Sequence, residues 1–173
     1  MTMLTPVFLL LLTLGLGACS PALNWREVRV KATDLVAMLP CKPDKGTRAV
    51  PLAGKNVEMH MTGCDAAGAT FAIANVKLAQ LSEVAEVQAQ WRAATLDNMV
   101  ARASQEALRK EVPGESSTSR AMVLAQGQRK DGTAVTMQGV WFSRGAQVFH
   151  AVVYAQQITP DTTETFFAGL KFQ

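Results

Sequence analysis

The chain of 173 residues is poor in the side chains from which most catalytic and metal sites are built. It has two histidines, three cysteines and one tyrosine, and aromatic residues make up 6%. No CxxC pair, GxSxG elbow, HExxH helix or phosphate-binding glycine loop occurs, so the usual signatures of redox, hydrolytic, zinc-peptidase and nucleotide sites are missing. Charge is also scarce and mixed: 17 Lys+Arg against 14 Asp+Glu leave +3. So small and interspersed an excess argues against nucleic acid as a partner. No apolar run reaches the roughly 20 residues of a membrane-spanning helix. Nor is this a disordered chain, since 49% of it is hydrophobic. The length suits one domain with a real core.

The apolar content is unevenly placed. Every charged side chain lies at or after Arg26, and residues 7–18 read VFLLLLTLGLGA. A short apolar run ending in small residues has the form of a secretory signal. It meets Cys19 in Leu16-Gly17-Ala18-Cys19-Ser20, which resembles the lipobox of bacterial lipoproteins. The resemblance implies removal of 1–18, acylation of Cys19 and a membrane anchor through the N-terminal lipid. Ser20, rather than Asp, after the lipidated cysteine favours the Gram-negative outer membrane, with the protein facing the periplasm. The segment MTMLTP departs from the pattern because it has no Lys or Arg, so either the start lies upstream or the signal is inefficient. A buried apolar helix of a cytosolic protein is the alternative. Residues 19–24 form a short tether that holds the domain, 25–173, within roughly 20 Å of the bilayer. Arg26, Arg29 and Lys31 lie near it, but Glu27 and Asp34 are interspersed, which fits a solvated strand edge better than a lipid-binding patch.

If Cys19 is lipidated, Cys41 and Cys64 remain as a pair. In an oxidising periplasm they are expected to bridge, and closing that loop is worth about 3 kcal/mol by chain-entropy reasoning. A redox pair or two metal thiolates are the alternatives.

The first half reads as strands: WREVRV (25–30), LVAMLP (35–40), RAVPLAG (48–54), NVEMHMTG (56–63) and ATFAIANVKL (69–78). Lys42–Gly46 and Cys64–Gly68 read as loops. A helix follows, with Ser82 as N-cap and Leu81, Val84, Val87, Trp91, Thr95 and Met99 at three- and four-residue spacings. Its alanines carry it toward Arg109-Lys110, with a break possible at Asp97-Asn98. Pro113–Ser119 is a loop by composition. Three strands, 120–128, 133–142 and 147–156, then alternate, with turns at Asp131-Gly132 and Arg144-Gly145. The last two are apolar on both faces, so both faces need cover. A C-terminal helix capped by Thr159, with Pro160 at its first position, and a last strand at Lys171-Phe172 complete the chain.

Leu39-Pro40-Cys41-Lys42-Pro43, the order of elements, and the closing Glu164-Thr165-Phe166-Phe167-Ala168-Gly169-Leu170-Lys171-Phe172 resemble the PsbP-like sandwich, including envelope proteins of the DcrB and LpqN type. The resemblance implies an α+β fold, an antiparallel sheet flanked by a long central helix and a short C-terminal helix. It brings no shared catalytic residues and no cofactor, and implies an accessory or binding subunit.

The candidate site residues are few. His150 shares a strand face with Val148, Val152 and Tyr154, which suits a satisfied, half-buried histidine better than a general base. Asp65, Asp97 and Asp131 fall at turns, where capping explains them. Met59-His60-Met61 is the one run with copper-ligand chemistry, but alternation places His60 opposite the two thioethers. The expectation is therefore a non-catalytic envelope module that binds a protein partner or an envelope component. The alternative is a small-ligand or copper carrier. An apolar pocket with convergent polar groups favours the carrier, and an exposed apolar patch favours a protein partner.

Overall fold

The structure, a computed structural model, describes residues 23–117, 119 and 121–173. The expected signal at 1–18, Cys19 and the start of the tether lie outside the described residues. Mostly strands with two helices, the fold falls in the α+β class. In chain order it runs β1 (Arg26–Arg29), β2 (Leu35–Leu39), β3 (Asp44–Leu52), β4 (Lys55–Ala66), β5 (Ala69–Lys77), α1 (Val84–Asn98), β6 (Ala103–Leu108), β7 (Ala121–Gln128), β8 (Ala134–Arg144), β9 (Gln147–Ala155), α2 (Pro160–Ala168) and β10 (Lys171–Phe172). Seven strands form one antiparallel sheet in the order β3-β4-β5-β9-β8-β7-β6, and β1-β2-β10 form a second.

Alternation on the central strands produces two cores. Phe71, Ile73, Phe142, Phe149, Ala151 and Val153 bury one face of the large sheet against Leu35, Ala37 and Leu39 of β2 and Phe166 and Leu170 of the α2 region. Phenylalanine rings dominate there, with Phe142 and Phe149 stacked at 5.1 Å and Phe71 meeting Phe166 edge-on at 5.6 Å. The opposite face carries Val76, Met137, Trp141, Val148 and Val152, covered by Val87 and Trp91 of α1 and by Met99 just beyond it. The Cys41–Cys64 disulfide ties the end of β2 to β4, and so one sheet to the other. Asn75, buried on the same face as Phe71 and Ile73, donates to the Lys31 carbonyl at 3.1 Å and accepts from Gln147 at 3.0 Å.

The structure corrects several expectations. The long helix stops at Asn98, and 103–108 is an edge strand on β7. The alanines there have helix propensity but no apolar stripe to bury, and pairing with β7 satisfies their backbone instead. Ser82 does not cap α1; it lies in a 3₁₀ turn, Leu81–Glu83, and Leu81 is exposed. The loop expected at Lys42–Gly46 is already strand from Asp44, and the β4–β5 turn contracts to Ala67-Gly68. Finally, β1 and β2 do not extend the main sheet but form the separate small one. Arg109, expected at a helix end, is buried in a bidentate pair with Glu115, at 2.8 and 2.7 Å. That pair pins the 109–117 segment, and Ser117 Oγ accepts from the Ser143 backbone N–H at 2.6 Å.

The C-terminal end of α1 is docked through a glycine. The Gln128 N–H donates to the Met99 carbonyl at 2.7 Å, and a Cβ at Gly127 would lie 2.1 Å from that same oxygen. Gly127→Ala therefore pushes the helix end off the sheet, and chemical denaturation should show a loss of about 1–3 kcal/mol or more. Gly46→Ala, whose Cβ would meet only the flexible end of Met61 at 3.7 Å, should be close to neutral.

Candidate functional site

A groove of about 870 Å³ lies between α1 and the large sheet. Its origin is a strip of small side chains. On the α1 side of β5 stand Thr70, Ala72 and Ala74, flanked by Met59 and Met61 of β4 and by Val152 and Tyr154 of β9. A helix resting on the taller neighbours cannot descend onto the alanines, so a trough remains beneath it. Trp91, Ala94, Thr95 and Asn98 of α1 form its roof.

His150 stands at the floor and is 4% exposed. Its imidazole stacks on Trp141, its direct cross-strand partner, at 4.1 Å and 7°, and meets the Trp91 ring edge-on at 5.7 Å. Gly139 makes room for it: a Cβ there would sit 3.0 Å from His150 Nε2. Neither His150 Nε2 nor Trp141 Nε1 finds a hydrogen-bond partner among the described residues. The histidine is thus fully buried and unsatisfied at Nε2, not half-buried and satisfied as the alternation suggested. The strand pattern shows which face His150 occupies, but not that two tryptophans enclose it. Burial pushes its pKa from the ordinary 6.5 down to about 3, so the ring is neutral at physiological pH.

The groove is one-sided in charge. Arg48, Arg129 and Lys130 line it and are exposed, and no Asp or Glu does. Burial pushes the Tyr154 phenol up, while the nearby Arg129 charge works against that.

The structure also places the Met59-His60-Met61 run. The thioethers face the groove, whereas His60 projects from the other face, with Nδ1 3.0 Å from Thr47 Oγ1 and Nε2 3.2 Å from Glu58 Oε1. Cys64, three residues on, is bonded to Cys41. The three candidate ligands are therefore not brought together on one ion. Among the described residues no group of three or more His, Cys, Asp or Glu is placed to hold a metal. Asp131 accepts from the Thr133 N–H at 2.9 Å, which holds its carboxyl below the usual range. Asp65 accepts from Thr70 Oγ1 at 2.6 Å.

A second, smaller cleft of about 520 Å³ lies between α2 and β6–β8. Leu108 and Leu124 on its lining are 88% and 39% exposed. No helix among the described residues is long and apolar enough to cross a membrane. No protein family, curated protein or solved structure matches the chain.

The buried imidazole makes stability pH-dependent in a defined sense. Between about 3 and 6.5 the unfolded chain binds a proton at His150 that the folded chain refuses. Its contribution is intact above 6.5 and is lost as pH falls, at up to about 1.4 kcal/mol per pH unit. His150→Leu should flatten this part of the profile in denaturation measured from pH 7 to pH 4. An unchanged slope would place the histidine's titration elsewhere.

Proposed function

We propose that the chain is a lipid-anchored, non-catalytic binding module of the cell envelope, with a PsbP-like sandwich as its fold, and that the groove under α1 is its binding site. The observation that carries this reading is the groove itself: a large apolar trough, roofed by a helix, with a neutral buried imidazole at its floor and polar groups at its edge. Concave, mostly apolar sites with a few placed polar groups are where small ligands bind. This favours the small-ligand reading over a protein partner, and nothing in the arrangement of Met59, His60 and Met61 favours copper.

A protein partner is the second reading, supported by exposed Leu108 and Leu124 beside the cleft at α2. One titration separates the two. Nile red, a neutral apolar dye, should bind the whole chain and lose its signal in Ala72→Phe, which fills the trough. Ala94→Trp, at an exposed position of α1 that lines the groove, should narrow the same groove without touching the core. Leu108→Asp should leave the signal unchanged. Loss in Leu108→Asp but not in the groove variants would move the site to the second cleft, and dye held on the 7–18 run would respond to none of them.

The anchor has its own test. Intact mass of the protein purified from envelopes should show loss of residues 1–18, added acyl mass at Cys19 and two hydrogens fewer for the Cys41–Cys64 bridge. Recovery of the unprocessed, unacylated chain would remove the lipoprotein assignment.

A further inference from the structure

We infer that the occupant of the groove is an amphiphilic anion, a carboxylate- or phosphate-headed molecule with an apolar tail; this rests on the groove being the binding site. Its polarity is segregated. The trough is floored by Ala72, Ala74, Met59 and Met61, with His150 neutral among them, while its charges are all at the exposed edge and all positive. A wholly apolar ligand would leave that edge unanswered, and a small hydrophilic anion would leave the trough unfilled.

Some surface cations are answered by carboxylates within the chain, and among the described residues the edge cations are not. Lys55, Arg92, Arg144 and Lys171 each pair with a carboxylate. Arg48 and Lys130 make no side-chain hydrogen bond or ion pair with any described residue. Arg129 lies close enough to Tyr154 and Asp131 for its charge to act on both. Lys130 follows it directly, so the head belongs at the end formed by Arg129, Lys130 and Tyr154. From there the tail runs over the alanines toward Trp91. Flexible thioethers along one wall suit a chain without fixed shape, and complementary charge at the mouth sets orientation and selectivity.

The test competes a matched series against Nile red bound to the whole chain: dodecanoate, dodecyl phosphate, dodecanol and dodecylammonium, each below its micelle concentration, and inorganic phosphate alone. Both anions should displace the dye at concentrations at least about tenfold lower than dodecanol, a difference of about 1.4 kcal/mol. Dodecylammonium should be the weakest. Added salt should weaken the anions and leave dodecanol unaffected. The triple variant Arg48→Gln, Arg129→Gln, Lys130→Gln should abolish the preference, so that the anions bind as dodecanol does. The two anionic arms distinguish a carboxylate from a phosphate head. The inference is overturned if dodecanol matches the anions, if the triple variant keeps the preference, or if inorganic phosphate displaces the dye as well as they do. In each of those cases Nile red still binds and the groove reading survives. Failure of the dye to respond to either groove variant overturns both.

Discussion

Strand β9 must be buried on both sides, and most of the architecture follows from that. It sends Phe149, Ala151 and Val153 into one core and Val148, His150 and Val152 toward the other. With β5 and β8 as its neighbours, it sits at the centre of seven antiparallel strands. A single roof could cover only one face. The small sheet and α2 close the phenylalanine side, and α1 closes the tryptophan side. The disulfide and the Arg109–Glu115 pair then pin connecting segments over these layers. Each buried large apolar side chain contributes about 1.5–3 kcal/mol relative to exposure, so losing either roof would outweigh the loss of any single surface contact.

The two roofs are not equivalent. On the phenylalanine side, the buried polar groups Asn75 and Thr62 find partners, and only Arg109 Nε, over the Phe142 ring, lacks one among the described residues. On the tryptophan side, His150 Nε2 and Trp141 Nε1 find none, and each such group costs about 1–3 kcal/mol when left unmade. Packing face-on against Trp141 and edge-on against Trp91 compensates in part, and the burial that comes with it keeps the imidazole neutral. The alanines of β5 forgo packing as well. An imperfectly filled face next to a well-filled one is what a binding groove requires, because space occupied by protein is closed to a ligand. The absence of carboxylates along the groove adds a field of one sign to that space.

Strand content was legible wherever alternation is strong. The apolar faces of 69–77, 134–144 and 147–155 are set by period two, and so is the opposition of His60 to Met59 and Met61. The pairing of Cys41 with Cys64 follows from counting cysteines once Cys19 is set aside. Misreadings occurred where local preference and tertiary pairing disagree. Residues 103–108 carry alanines that favour a helix, yet an unpaired edge on β7 offered them hydrogen bonds. Ser82 has capping chemistry, but a 3₁₀ turn displaced the helix start beyond it.

The groove was not legible at all, because it depends on residues that share no neighbourhood in the chain. Sequence alone determined the two-faced character of the central strands, the class of the fold and the chemistry each segment carries to the surface. Strand register decided the rest. Only pairing of β9 with β8 sets His150 on Trp141, and only pairing of β4 with β5 and of β5 with β9 lines the alanines up between taller walls. Arg48 and the Arg129-Lys130 pair border one cavity because β3, which bears the first, and the β7–β8 turn, which bears the others, lie on opposite sides of the trough. Periodicity records which face a side chain takes; which neighbours it meets there is a matter of long-range pairing, and that is where the groove arose.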